Sequence, residues 1–290
     1  VVDQIIKYLG NIPIKYDLLI SVITEADGIY AKEVLSKAVR LNKIYVKVVE
    51  NSGRDVSPLL IAFKDAWREY DYICHIHTKR SLHTDFGDEW RTYLFDKILG
   101  SEKTVKTVLN KLESDNDLAF IYPENFHKIK EYTSSDSNVS EINSLLNRLG
   151  LAEEESFSDY PFAAGTMGWF KTKCYKDLVN LEFKYYDFKN TNEKLDATLA
   201  HAMERFFAIY PVKKGFKIAV FYSQPNNQNI IDEAKQFSQS FPVGNKWMRD
   251  DPKISANPVT SLSPMHNFFN KDSLVIHWVI PDYGIGAGGH

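Results

Sequence analysis

Cysteine is almost missing from this 290-residue chain, with Cys74 and Cys174 the only two. One lies inside an apolar strand pattern and the other a hundred residues away, so a disulfide framework is excluded and both read as reduced thiols of a cytosolic protein. Long apolar runs are missing too. Nothing approaches the ~18 consecutive apolar residues of a membrane span, and no signal-peptide pattern is visible. An excess of one charge is also lacking: 35 lysines and arginines face 38 acids, for a formal net charge of -3. No global basic field argues for nucleic acid or an anionic membrane surface. There is no internal repeat.

What is there is the composition of a folded globular protein, 44% hydrophobic and 25% charged, enough for one large domain or two ordinary ones. Short β-rich runs alternate with helical periodicity. Strands are expected over 17–24, 44–49, 72–77 and 118–122, a glycine-interrupted strand over 162–170, and a last candidate over 217–221. Helices are expected over 1–9, 31–41, 56–70, 85–99, 105–112, 142–149, 172–179 and 193–209. Three strands separated by helical patterns argue for βαβ units, hence an α/β fold with a mostly parallel, twisted sheet flanked by helices. Residues 134–158 are polar and read as an insertion over the sheet. From 227 to 271 the texture turns rich in Asn, Gln, Ser and Pro around one helix, 230–238, and reads as a linker or extension.

Functional groups crowd the stretch from Asn51 to Trp90. The turn Asn51, Ser52, Gly53, Arg54, Asp55 precedes a helical pattern, and the strand from Tyr72 ends in His75, His77, Thr78, Lys79, Arg80 and Ser81. In an open α/β sheet, ligands bind where loops leave the carboxyl ends of strands. Many sugar-nucleotide transferases end such a strand in Asp-x-Asp, whose carboxylates hold a divalent metal against the donor's diphosphate. Here His77 and Lys79 stand at those two positions, and a fixed cation can neutralise leaving-group charge without a metal. His75 fits equally a hydrogen-bonded core residue. A zinc site is the weaker reading of His-x-His, since no third ligand stands at close spacing. Arg54 or Asp55 would meet the nucleotide beside the second strand; alternatively Asp55 is a plain helix cap ahead of Ser57 and Pro58.

A third cluster is Gly165, Thr166 and Met167, followed by Asp187, Glu193, Asp196, His201, Glu204 and Arg205. Glycine in a strand permits close approach, which suits an acceptor hydroxyl, or it marks a packing bulge. Asp196 falls near the start of the helix pattern LDATLAHAMERFFAIY, where the dipole keeps a carboxylate ionised. An ionised carboxylate facing a cleft can take the proton from an attacking hydroxyl, and ordinary capping is the competing role. Glu204 and Arg205 read as a structural ion pair.

These residues carry a resemblance to the rhamnan synthesis protein F family of bacterial polysaccharide glycosyltransferases. The motifs are N-x-G-R-D-V (Asn51 to Val56), Y-D-Y-x-x-x-I-H-T-K-x-S (Tyr70 to Ser81), Trp90–Arg91, G-T-M-x-W-F (Gly165 to Phe170) and L-D-x-T-L-A-H-A-x-E-R (Leu195 to Arg205), in order over roughly residues 17–210. The chain departs from the family at Ala197, where glycine is more usual. The resemblance implies a glycosyltransferase A-type fold and transfer of a deoxysugar, typically L-rhamnose from a nucleoside diphosphate such as dTDP-L-rhamnose, to a lipid-linked or otherwise growing glycan, with inversion. On that expectation Asn51, Arg54, Asp55, His77 and Lys79 bind the donor, Gly165, Thr166 and Met167 the acceptor, and Asp196 is the base, with Glu193 its rival. No cofactor is expected. A divalent metal held by carboxylates such as Asp85 or Asp88 is the less favoured form.

The last residues, WVIPDYGIGAGGH, join an apolar strand to a glycine-rich run, the first half of a β-loop-α unit. They resemble the opening of a glycosyltransferase B-type domain. The expected division is a transferase domain over 1–225, a linker over 226–272, and over 273–290 the start of a second transferase in a longer parent chain. The expected location is cytoplasmic, at the inner membrane face through the parent or the acceptor. A non-catalytic module that binds glycan or docks the neighbouring transferase is the reading from another class; 13% aromatic residues suit sugar stacking in either case.

Overall fold

The computed structural model describes residues 2–78, 86–132, 136–188, 198–223, 229–234 and 274–280. After α1 (Val2–Leu9) come β1 (Tyr16–Val22), α2 (Glu25–Leu35), β2 (Leu41–Val48), a short helix α3 (Ala66–Glu69) and β3 (Tyr72–His77). Then follow α4 (Gly87–Leu99), α5 (Glu102–Ser114), β4 (Leu118–Pro123), α6 (Val139–Arg148), β5 (Gly168–Lys171), α7 (Leu199–Lys213), β6 (Lys217–Ser223), β7 (Asn229–Glu233) and β8 (Leu274–Ile280). Among the described residues these make one eight-stranded sheet in the order β2-β1-β8-β3-β5-β4-β6-β7. β2, β1, β8 and β3 run parallel in sequence, and β4 pairs parallel with β6; β5 and β7 run antiparallel to their neighbours. The mostly parallel α/β architecture expected from the alternating patterns is present.

Both faces of the sheet are covered, which is why β1, β3 and β4 read as continuous apolar runs and are buried at every position. On one face Leu18, Ile20, Cys74 and Ile76 pack with Leu9, Leu94, Phe95 and Val108 from α1, α4 and α5. On the other, Leu19, Ile73, Phe120 and Phe170 pack with Trp67, Leu145, Tyr175 and Phe206. Local caps fix the helix starts: Thr24 accepts from Asp27 N at 3.1 Å and Ser101 from Thr104 N at 3.0 Å. The first of these sets α2 six residues earlier than its apolar spacing suggests.

Four expectations change. The helix expected over 56–70 is broken into a single π-type turn, Pro58–Ala62, and the four residues of α3. Phe63 N reaches back five residues to Pro58 O at 3.0 Å in place of the four-residue bond to Leu59 O, which accepts from the Trp67 indole at 3.3 Å. The strand expected over 162–170 pairs only from Gly168 onward. Ahead of it, Gly165 and Thr166 hold φ of 90° and 57°, and Thr166 N bonds Ala163 O at 3.1 Å, a tight turn incompatible with a ladder. Residues 229–233, overlapping the first half of the helix expected over 230–238, form β7 against β6. Finally β8, expected to open a following domain, lies in the middle of this sheet, paired on both edges with β1 and β3. Leu274 and Ile276 enter one core and Val275 the other. A strand apolar on both faces is best buried in a central slot, where neither edge is left open.

Candidate functional site

The carboxyl ends of the parallel strands and the amino end of antiparallel β5 share one edge of the sheet. Register then brings side chains into rows across it. Leu19, His277, His75 and Gly168 stand side by side on β1, β8, β3 and β5, and in the next row toward the carboxyl ends are Ser21, Val279 and His77. Because side chains alternate, His75 and His77 share the face of Ile73, and His277 that of Val275. Gly168 leaves no room for a side chain: a Cβ there would lie 2.6 Å from Ile121 O.

The turn after β2 delivers a carboxylate to this row. Gly53 and Arg54 hold φ of 74° and 56°, the left-handed conformation in which the chain reverses, and Phe188 fills the space where a Gly53 side chain would stand. Asp55 Oδ2 then lies 3.1 Å from His75 Nε2 and 4.0 Å from His77 Nε2. His75 Nδ1 in turn lies 2.9 Å from His277 Nδ1, with the two rings within 13° of parallel. The protons follow from donor chemistry. An ionised carboxylate only accepts, so His75 carries its hydrogen on Nε2 and donates to Asp55. His277 Nε2 has no hydrogen-bond partner among the described residues, so a single hydrogen on His277 is satisfied only on Nδ1, facing His75 Nδ1. Burial holds the His277 imidazole well below its ordinary value, Asp55 only partly opposing; it is neutral at pH 7. His277 Nε2 and Ser21 Oγ are both buried with no hydrogen-bond partner among the described residues.

The turn before β5 meets this cluster from the other side. Gly165 is gripped at both ends of its backbone: its carbonyl accepts from His77 Nε2 at 2.8 Å, and its N–H donates to Glu204 Oε1 on α7 at 2.5 Å. Asn125, buried just past β4, spans the same turn, donating to Phe162 O at 2.7 Å and accepting from Ala164 N at 2.9 Å. Arg205 lies over the Phe162 ring at 4.7 Å and 3.9 Å from Glu204. The ion pair read from sequence exists, yet Glu204 spends its nearer oxygen on the glycine turn.

Of the expected donor residues, Asn51 is exposed on the turn, Arg54 has the left-handed backbone, and Asp55 and His77 converge. Asp55 turns its Oδ2 to His75 rather than serving only as a cap. Lys79, Asp85, Glu193 and Asp196 lie outside the described residues. Gly165 and Thr166 form the turn; Thr166 and Met167, both expected at the acceptor, are each 1% exposed, and Met167 packs in the core. Asp88 pairs with Arg91 at 2.9 Å. No group of three or more His, Cys, Asp or Glu side chains among the described residues has metal-holding geometry. Both cysteines are free and buried, and burial pushes the Cys174 thiol up to about 11. Sequence reasoning missed His277, Asn125 and the glycine-turn bond of Glu204. A histidine in the otherwise apolar run 274–280 was the available signal for the first.

A covered, mostly parallel sheet with convergent polar groups at its strand ends defines an α/β protein whose polar side chains gather at the edge where this topology places ligand sites. The chain belongs to the rhamnan synthesis protein F family, whose model matches residues 1–216. It is also 28% identical over 174 residues to the uncharacterized protein WxcX of Xanthomonas campestris pv. campestris, strains B100 and ATCC 33913. That match covers 60% of this chain and 24% of the relative, so the chain spans about a quarter of the curated relatives' length. No solved structure matches the chain significantly. Among the described residues, no helix is long and apolar enough to cross a membrane.

Proposed function

We propose that this chain is a glycosyltransferase domain of the A type that moves a deoxysugar, L-rhamnose, from a nucleoside diphosphate donor to a growing bacterial surface polysaccharide. The observation that carries the reading is the double grip on Gly165, by His77 from the end of β3 and by Glu204 from α7. A strand end suited to the donor and a turn suited to the acceptor hydroxyl are thereby tied at one edge of the sheet. Membership of a family described as rhamnan synthesis supports the sugar and the process.

In this reading Asn51, Arg54 and Asp55 hold the nucleotide. Lys79, two residues past His77, neutralises the diphosphate as it leaves, so that no metal is required. Gly165 and Thr166 guide the acceptor. Asp196, in the residues leading into α7, takes the proton from the attacking hydroxyl, with Glu193 the competing base; attack from the face opposite the leaving group inverts the sugar. Transfer would take place at the inner face of the cell membrane.

The test is release of dTDP from dTDP-L-rhamnose in the presence of lipid-linked glycan, for the wild type and the Lys79→Ala and Asp196→Asn variants. Turnover in the wild type, lost in both variants while each still folds, is the expected result. Robust turnover in Lys79→Ala removes the metal-free mechanism, and binding of glycan without turnover in the wild type assigns the chain to a non-catalytic module.

A further inference from the structure

We infer that His277 is a positioning residue of the donor site: by donating its Nδ1–H to His75 Nδ1 it holds His75 neutral, with the Nε2–H directed at Asp55. The inference rests on the donor-site reading for its consequence, not for its geometry. His277 stands on β8, beyond the 1–216 span that the family model matches, and reaches the Asp55–His75 pair through one 2.9 Å contact. The side chain is fully buried, beside the Phe63 ring at 5.2 Å, edge to face. The titratable groups around it are His75 and His77 from β3 and Asp55 from the turn after β2.

The direction of the chain Asp55, His75, His277 is set at His277: its Nε2 is buried with no hydrogen-bond partner among the described residues, so its hydrogen is satisfied only on Nδ1. A second proton on His75 would place an N–H at Nδ1 facing the N–H of His277, two donors 2.9 Å apart. His75 escapes that clash by staying neutral, and its Nε2–H remains a neutral donor to the Asp55 carboxylate. The rigidity is supplied by β8 itself, paired on both edges and buried on both sides, so the donor nitrogen is held in place by the centre of the sheet. A strand late in the chain thus sets the hydrogen-bonding state of a side chain in the first 80 residues.

The test is nitrogen-detected spectroscopy of the chain labelled with 15N-histidine, the eight histidines being assigned with His75→Gln and His277→Asn variants. At a pH of about 7 the expected result is His75 as the Nε2–H tautomer and His277 as the Nδ1–H tautomer, the rarer form of a free imidazole. His277 protonated on Nε2, or His75 doubly protonated, overturns the inference whether or not any donor binds. The second reading is affinity for dTDP-L-rhamnose. His277→Leu should weaken it about tenfold, the scale of losing one hydrogen bond in a charged network, and His277→Asn, which keeps an N–H near the Nδ1 position, should restore it to within about threefold. A folded His277→Leu chain that binds like a binding-competent wild type contradicts the positioning role. Should His277→Leu not fold, the tautomers and the His277→Asn affinity still decide. A wild type with the expected tautomers and no affinity for the donor contradicts the proposed function and leaves the histidine relay standing.

Discussion

The two faces of β3 differ in a way that separates what folds this protein from what it does. Tyr72, Cys74 and Ile76 point into the core beneath α4 and α5, a mostly apolar packing in which the Tyr72 hydroxyl donates to Glu113 and burial holds the Cys74 thiol well above its ordinary range. Ile73, His75 and His77 point to the opposite face. That face begins as an ordinary core at Ile73 and ends as a hydrogen-bonded line of Asp55, His75 and His277, with His77 tied to Gly165. One strand therefore serves packing on one side and polar chemistry on the other. Only the carboxyl end of the second side is polar, the position that the topology of a parallel sheet makes available to a ligand.

The contrast can be broken from either side. The largest effect is expected from Phe95→Ala on the apolar side, which removes a ring packed edge to face at 5.4 Å against Tyr8. It should lower unfolding free energy by about 3–5 kcal/mol in urea titration while leaving donor affinity of the folded fraction unchanged. Asp55→Ala acts on the polar side: the buried His75 N–H loses its acceptor, for a loss of about 1–3 kcal/mol, and here donor affinity should fall as well. Gly168→Ala tests the seam between the two, because the added Cβ would stand 2.6 Å from Ile121 O. A loss of about 1–3 kcal/mol by thermal unfolding is expected as β5 shifts from β4. Smaller again is a pH effect. His277 is neutral in the folded chain and ordinary in the unfolded one, so below a pH of about 6.5 the unfolded chain binds a proton that the folded chain refuses. Stability should therefore fall with decreasing pH, by up to about 1.4 kcal/mol per unit from this group, and His277→Asn should remove that part of the slope. The least effect, about 0.5 kcal/mol or less, is expected for Glu89→Gln, which breaks only the exposed pair with Lys128.

Much of this contrast was legible from residue patterns. Period-two and continuous apolar runs placed β1, β3, β4 and β6 to within two residues, because strands buried on both faces have few alternatives. His-x-His puts both rings on one face, and N-x-G-R-D marks the turn after β2 that carries Asp55 to them. What stayed hidden depended on partners far apart in sequence. The wide turn at Pro58 comes with a bond from the Trp67 indole to Leu59 O eight residues away, and the glycine turn is held by Asn125 and Glu204. The central place of β8 depends on a slot between β1 and β3 that no local pattern announces. Its hydrophobicity was seen, while its neighbours, and so the role of His277, were not.

Calorimetric titration with dTDP-L-rhamnose, in the presence and absence of EDTA, for the wild type and Asp55→Ala tests the central claim most directly. The account predicts binding of the donor that survives EDTA and is weakened about tenfold or more by the substitution. A folded wild type that binds no nucleotide sugar, or an Asp55→Ala chain that binds it equally well, would contradict the assignment of this edge of the sheet to the donor.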